Sequence, residues 1–380
     1  MLGLNEKLKD FAEKGKNIKT AVVGLGQMGL SLISHLNSLK GFKVTAVADK
    51  NLKKLDDIST VLKLDKQKNF YLLNYQDTED ILNTDVDDIL GGRYIDESID
   101  IEKIDKEIKN GKIFYTNDFR IISFLNSIDI IVDATGYPEV GAAVSLAALC
   151  GKKHIVTLNV EADVTVGPIL KEIADKKNLV YTLSAGDEPA ALKELCDFAD
   201  GLGFNIICAG KGKNNPLDVY ANPATLAEYS ASKGSSPKMM TSFVDGTKSM
   251  IEMACLSNAT GLVPDCRGMH GVTAKIKDLI SVFSLVKDGG ILEKEGVVDF
   301  AIGDLAPGVF LIYSTPNNMV REVLKYLVLG DGPNYLLYRP YHLTSVETPL
   351  SIARAYFEKK PWIVPKGGLV SEIITVAKKD

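Results

Sequence analysis

Glycine spacing carries the first chemical signal in this 380-residue chain. Gly24-Leu25-Gly26-Gln27-Met28-Gly29 follows a strand-like run, Lys19 to Val23, and opens a segment with helical periodicity, Gln27 to Leu39. Gly24 permits a tight turn, Gly26 lets a pyrophosphate approach the backbone, and Gly29 lets helix pack on strand; the helix N-terminus then offers unpaired N–H groups to phosphate. Asp49 ends a second strand, Lys43 to Ala48, 20 residues after Gly29, where a carboxylate takes ribose hydroxyls. Together these predict a dinucleotide site that includes Gln27 and Met28. Asp49 repels a 2′-phosphate and favours NAD, whereas Lys50, with Lys53 and Lys54, can neutralise one and favours NADP. The balance leans slightly to NAD. Asp133-Ala134-Thr135-Gly136 ends another strand, where small residues leave room for the nicotinamide half. Asn159-Val160-Glu161 ends the next. The competing reading of Asp133–Gly136 is a plain strand-to-helix turn before Pro138.

Other residues suit proton transfer or anion binding. Ala209-Gly210-Lys211-Gly212-Lys213 reads as a loop after a strand, and its lysines can protonate a carbonyl oxygen or grip a phosphate. Asp187 and Glu188 begin a helix, where carboxylates complement the dipole. With Glu161 they also make a carboxylate group for substrate hydroxyls or a divalent metal, which stays open. Asp245, Lys248 and Glu252 share one helix face, as a solvated ion-paired surface or a polar pocket wall. His270 and His342 sit on loops and can act as acid or base near neutral pH; His35 and His154 read as structural. Arg267 and Arg339 can fork onto an anionic substrate. No GxSxG elbow argues for a hydrolase.

The elements that must position these groups alternate strand and helix, which predicts a doubly wound parallel α/β sheet of Rossmann type. Strands Ile128 to Val132 and His154 to Leu158 flank a helix at Val140 to Leu149. Residues 59–111 interrupt the rhythm with an acidic run, Asp77, Glu79, Asp80, Asp85, Asp87 and Asp88; without the glycine turn of a calcium loop this reads as a solvated insertion. A second, α+β catalytic and dimerisation domain follows. The expected bounds are 1–158, 159–334, and a C-terminal segment 335–380 packing over the cleft. One long helix is expected from Pro237 to Asn258; being apolar on several faces, it suits a homodimer seam.

Composition narrows the classes. With 46% hydrophobic and 24% charged residues the chain is globular, and a net charge of −5 disfavours nucleic-acid or anionic-membrane surfaces. Five cysteines without CxxC spacing suit a reduced, cytoplasmic protein. No run of about 18 uncharged apolar residues predicts a membrane span.

The strings GLGQMG, VDATG, NVEAD, SAGDEP, DGTKSMIEMA, NATGL, RGMHG, LGDGPNYLLYRPYH and SIARA, in this order, resemble the homoserine-dehydrogenase-like NAD(P) oxidoreductases of the SAF-domain-containing family, above all the 1-deoxy-D-xylulose 5-phosphate reductoisomerase-like proteins. The resemblance spans about residues 15 to 380. It implies a catalytic domain that also dimerises, and it places the family's lysine at Lys213, with Lys211 second. In the family a strand like SEIITVAKKD continues into the SAF module, which is missing or truncated here. The expected function is hydride transfer between NAD(P) and a small polar carbonyl or hydroxyl substrate, phosphorylated or not, of reductoisomerase or homoserine-dehydrogenase type. The alternative is a non-catalytic dinucleotide-binding redox sensor or scaffold.

Overall fold

Apolar β-branched runs such as Ile18–Val23 and Ile130–Asp133 have no polar face to offer water, so each must lie in a sheet covered on both sides. A computed structural model of the chain describes residues 3–75, 98–234, 236–371 and 373. It divides into two compact units, 1–186 with 343–364, and 187–342 with 365–380.

In the first unit, β1 (Ile18–Val23), β2 (Phe42–Ala48), β3 (Phe70–Leu73), β4 (Ile113–Thr116), β5 (Ile130–Asp133), β6 (His154–Thr157) and β7 (Tyr181–Leu183) form a seven-stranded sheet in the order β3-β4-β2-β1-β5-β6-β7. All its pairings are parallel. Alternation along β1 sends Ala21 and Val23 to one face and Val22 to the other. Helix α1 (Gln27–Ser38) covers the Val22 face through Leu32, Ile33 and Leu36, joined there by Ile352 and Ala353 of the helix Thr348–Glu358. Helices α2 (Pro138–Cys150) and α3 (Val160–Lys176) cover the opposite face through Val144, Leu149 and Leu170. Chain order reverses between β1 and β5, which makes the carboxyl ends of these two strands the ligand-binding crevice of such a sheet.

Three expectations change here. The unit runs past residue 158 to Gly186, because β7 adds to the same sheet beside β6. Residues 343–364 belong with this unit rather than with one continuous C-terminal segment. Nor is 59–111 only an insertion, since β3 pairs with β4 as an edge strand of the sheet. The acidic run from Asp77 to Asp88 lies outside the described residues.

The second unit has a mixed sheet of β8 (Asn205–Lys213), β9 (Val263–Pro264), β10 (Val272–Thr273), β11 (Val297–Ile302), β12 (Val309–Ser314) and β13 (Asn334–Arg339), in the order β10-β11-β8-β12-β13 with β9 also on β11. Helix α4 (Glu188–Gly201) and helix α6 (Thr247–Thr260) cover one face. Ala191, Leu192, Met253 and Leu256 pack there on Ala209, Val298, Phe300 and Leu311. The single long helix expected from Pro237 to Asn258 is instead two, α5 (Pro237–Val244) and α6, broken where Gly246 takes φ 89°. A side chain is strained at that dihedral. Of the apolar residues along that run, Met240 and Met253 are buried, whereas Met239 is exposed and Phe243, Met250 and Ile251 are half-buried. No described helix is long and apolar enough to cross a membrane, and all five cysteines are free thiols.

Candidate functional site

In the first unit the glycine turn behaves as its spacing predicts. Gly24 has φ 96°, and a Cβ there would lie 2.7 Å from the carbonyl oxygen of Ala134. A Cβ on Gly29 would overlap the carbonyl of Gly24, so α1 rests directly on the turn. Gly26, the N-cap of α1, has nothing within 4 Å of where a Cβ would stand. That open space, with exposed Gln27 and Met28 beside it, fits the approach of a pyrophosphate to a helix N-terminus. Asp49 closes the turn from the end of β2: Leu25 N–H donates to Oδ2 at 2.7 Å and Asn51 N–H to Oδ1 at 2.9 Å. Each carboxylate oxygen keeps a second lone pair for a hydroxyl. Exposed Lys50 lies over the Tyr137 ring, 5.7 Å from its centroid, and Lys54 pairs with Asp57.

At the end of β5 the residues divide. Thr135 turns inward, donating its backbone N–H and hydroxyl to the buried Asp133 carboxylate, which also accepts from Thr157. Burial raises the pKa of Asp133 against those hydrogen bonds. Gly136 is exposed and open, and Ala134 is half-buried. Asn159 is almost fully buried. It caps α3 by accepting from Ala162 N–H and donates Nδ2 to the Tyr137 carbonyl at 2.8 Å. These contacts make it a support of the turn rather than an open ligand. Glu161 stands in the first turn of α3.

In the second unit the Gly-Lys-Gly-Lys stretch expected as a loop is the end of β8. Period-two alternation places Gly210 against the Phe310 ring and Gly212 against Leu305 and Ala306, with no room for a Cβ, and sends Lys211 and Lys213 to the face that carries the helices. Lys211 Nζ donates to Glu188 Oε1 at 2.6 Å and also to Glu252 Oε2. Glu188 opens α4 and Glu252 lies mid-α6, so two helices converge on one strand residue. Burial disfavours the charge on Lys211, but the two carboxylates outweigh it and hold its pKa above the ordinary lysine value. Burial and then the neighbouring Glu188 raise both Asp187 and Glu252. Glu188 itself lies below its usual range: burial opposes its charge, yet Lys211 and a hydrogen bond with Asp187 prevail. Lys248 stands 3.7 Å from Glu252. His342 completes the cluster, donating Nδ1–H to the Pro307 carbonyl at 2.7 Å and placing Nε2 3.5 Å from Glu188 Oε2.

Residues 186–348, which hold this whole cluster, match the family model described as oxidoreductase DRL, catalytic domain. The chain is an oxidoreductase. No curated protein matches it. Among solved structures it is similar to a "probable dehydrogenase" from Thermotoga maritima, at 11% identity over 92% of this chain and 91% of that one, with TM-score 0.46. It is similar also to 1-deoxy-D-xylulose 5-phosphate reductoisomerase from Zymomonas mobilis in complex with NADPH, at 13% identity over 63% and 57%, with TM-score 0.39. A third is myo-inositol dehydrogenase from Lactobacillus casei in complex with NAD(H) and myo-inositol, at 18% identity over 56% and 50%, with TM-score 0.34.

Within the oxidoreductase domain, the remaining candidates separate. Lys213 Nζ donates to three backbone carbonyls, of Asn215 and Pro216 at 2.8 Å and of Phe243 at 2.6 Å. It thereby ties the end of β8 to the last turn of α5. Burial, then the charge of Lys211, push it down to about 8. His270 is held elsewhere, its Nε2 at 3.0 Å from Asp265 and its N–H on the buried Asp299 carboxylate. Asp245 accepts the backbone N–H and the hydroxyl of Thr247, the first residue of α6. Arg339 pairs with Glu194 and stacks on Tyr341. The carboxylate–histidine group that forms among the described residues is Asp187, Glu188 and His342, with Glu161 not a member. What the sequence reading missed is the convergence of Glu188 and Glu252 on Lys211. The period-two placing of Lys211 was its one available signal.

Proposed function

We propose that the chain is an NAD(P)-dependent reductase or dehydrogenase of a small polar carbonyl or hydroxyl compound, with the first unit binding the dinucleotide and the Lys211 cluster holding the substrate oxygen. The nicotinamide, when bound, supplies or accepts the hydride. The observation that carries this reading is the buried, doubly paired ammonium of Lys211. Two of its N–H groups meet carboxylates among the described residues, and one is left to donate. A fixed ammonium aimed at a carbonyl oxygen stabilises the negative charge that forms there on reduction. Glu188 and Glu252 keep Lys211 protonated and oriented; Asp187, Lys248 and His342 supply further polar contacts for substrate hydroxyls or the proton that the alcohol product gains.

The dinucleotide part rests on the open Gly26 cap, the Gly29 contact and Asp49. Asp49 favours NAD, because a 2′-phosphate beside it meets like charge. Within this class we place the substrate among hydroxy-carbonyl compounds of reductoisomerase or homoserine-dehydrogenase type, on the sequence resemblance alone. The test is NAD(P)H consumption at 340 nm against a panel of phosphorylated and unphosphorylated small carbonyl compounds, with product analysis to separate rearrangement from direct reduction. Tight dinucleotide binding with no turnover on any of them would favour a sensor instead.

A further inference from the structure

We propose that a polar cavity at the far end of β8 from Lys211 binds a small zwitterion of the α-amino acid class, one carboxylate and one ammonium on a short carbon skeleton. The cavity holds about 300 Å³ and lies wholly within the second unit, between the start of β8, the end of β12 and the start of β13. That volume is at the lower end of ligand pockets, which suits a small molecule. Asn205, in its wall, comes six residues before Lys211 on the same strand, about 20 Å at about 3.3 Å per residue. The cavity is therefore distinct from the Lys211 cluster, and binding in it does not rest on the proposed reduction.

Charges of both signs line it. Half-buried Arg321, on helix α7 (Asn318–Tyr326), donates Nε–H to the Thr315 carbonyl at 2.8 Å, which fixes the plane of its guanidinium. Its Nη groups have no partner among the described residues, and a guanidinium held this way offers a fork to a carboxylate. Lys287, Asp288 and Glu295 line the same cavity and form no ion pair among the described residues. Two cations and two carboxylates left unpaired around one space set its preference. An anion alone meets Asp288 and Glu295 as like charges, and a cation alone meets Lys287 and Arg321. A molecule carrying both charges finds an opposite one for each end. The strand is shaped here as well. Ile312 of β12 pairs with Cys208 and Tyr313 with Ile206, so β8 carries Ile207 as an extra residue with no opposite. Ile207 lines the cavity, and such bulges re-aim side chains beside binding sites.

The experiment uses the full chain and a panel of proteinogenic L-α-amino acids, screened by saturation-transfer NMR and measured by calorimetry. The tightest binder is then compared with its N-acetyl and α-amide forms, each of which lacks one charge. At least one amino acid should bind at one site per chain with Kd of about 1 mM or lower, and each blocked form should bind at least about tenfold more weakly. Arg321→Gln, and the double variant Asp288→Asn with Glu295→Gln, should each weaken binding at least about tenfold with circular dichroism unchanged. Failure of every amino acid to reach that affinity, blocked forms that bind as well as the free amino acid, or folded variants with the parental affinity would each overturn the proposal. Loss of binding in Lys211→Arg with none in the two cavity variants would place the amino acid at the reductase site and overturn it too. Should Arg321→Gln not fold, the double variant of exposed carboxylates and the blocked ligands decide it.

Discussion

Lys211 and Lys213 stand two residues apart on one face of β8, and their ammonium groups meet opposite partners. Lys211 is clasped by the carboxylates of Glu188 and Glu252, whereas Lys213 donates to the carbonyls of Asn215, Pro216 and Phe243. The first arrangement pairs two N–H groups of the ammonium with carboxylates. The second fills all three donors of the ammonium with backbone.

Lys213 is therefore a structural residue in this account, contrary to its ranking in the sequence reading. Lys213→Met removes three charge-assisted bonds and should cost about 2–4 kcal/mol in unfolding free energy, since hydrogen bonds to charged groups contribute about 1.5–3 kcal/mol each and part is recovered on losing a buried charge. Chemical denaturation measures the loss. Turnover per folded molecule should change by less than about threefold, far below the 10²–10⁴-fold that a lost acid costs.

The three glycines of the turn should separate binding from folding. Gly26→Val places a side chain in open space, so melting temperature should hold while dinucleotide affinity falls beyond detection in calorimetry. Gly29→Ala drives a methyl into the carbonyl of Gly24 and should lower stability by about 1–3 kcal/mol, the usual cost of overpacking. Equal melting temperatures for the two variants would contradict this division.

Asp49 should set cofactor choice. Asp49→Asn can still accept the N–H of Leu25 while removing the charge that faces a 2′-phosphate. The ratio of NADP to NAD affinity should rise at least about tenfold, equivalent to about 1.4 kcal/mol. An unchanged ratio would mean that Lys50 or another group governs the choice.

His154 gives a pH signature in the first unit. Its Nδ1 accepts the Val180 N–H at 3.0 Å, and burial, then the Lys359 charge, lower its pKa to about 4 from an ordinary 6.5. The unfolded chain therefore takes up a proton that the fold refuses. The stabilisation is full above pH 6.5 and is lost as pH falls through 4, a span worth about 3 kcal/mol. Comparing His154→Gln with the parent across pH 4 to 7 should show the parent losing its advantage on acidification; parallel curves would refute the assignment.

Much of the frame was legible because the period of each element is local. The glycine turn, Asp49 and strands β1 and β2 lie where spacing puts them. Three features were not local. The expected boundary at 158 missed β7, since strand-helix alternation continues unbroken across Gly186. One residue, Gly246, splits a run whose periodicity reads as a single helix. Gly210 and Gly212 mimic a loop until Phe310 and Leu305 are packed against them. The candidate site suffered most, because Lys211 acquires its meaning from Glu188, 23 residues before it, and Glu252, 41 after.

The most direct test is hydride transfer at 340 nm by the parent and by Lys211→Arg, on whichever carbonyl substrate the parent turns over, with dinucleotide affinity measured in parallel. Arginine keeps a positive charge between Glu188 and Glu252 and so protects the fold, but it replaces the compact ammonium with a planar fork that cannot present the same single N–H. Turnover should fall by about 100-fold or more with dinucleotide affinity and melting temperature nearly unchanged. Parental turnover in a folded Lys211→Arg protein would contradict the central claim that the Lys211 ammonium serves the substrate oxygen.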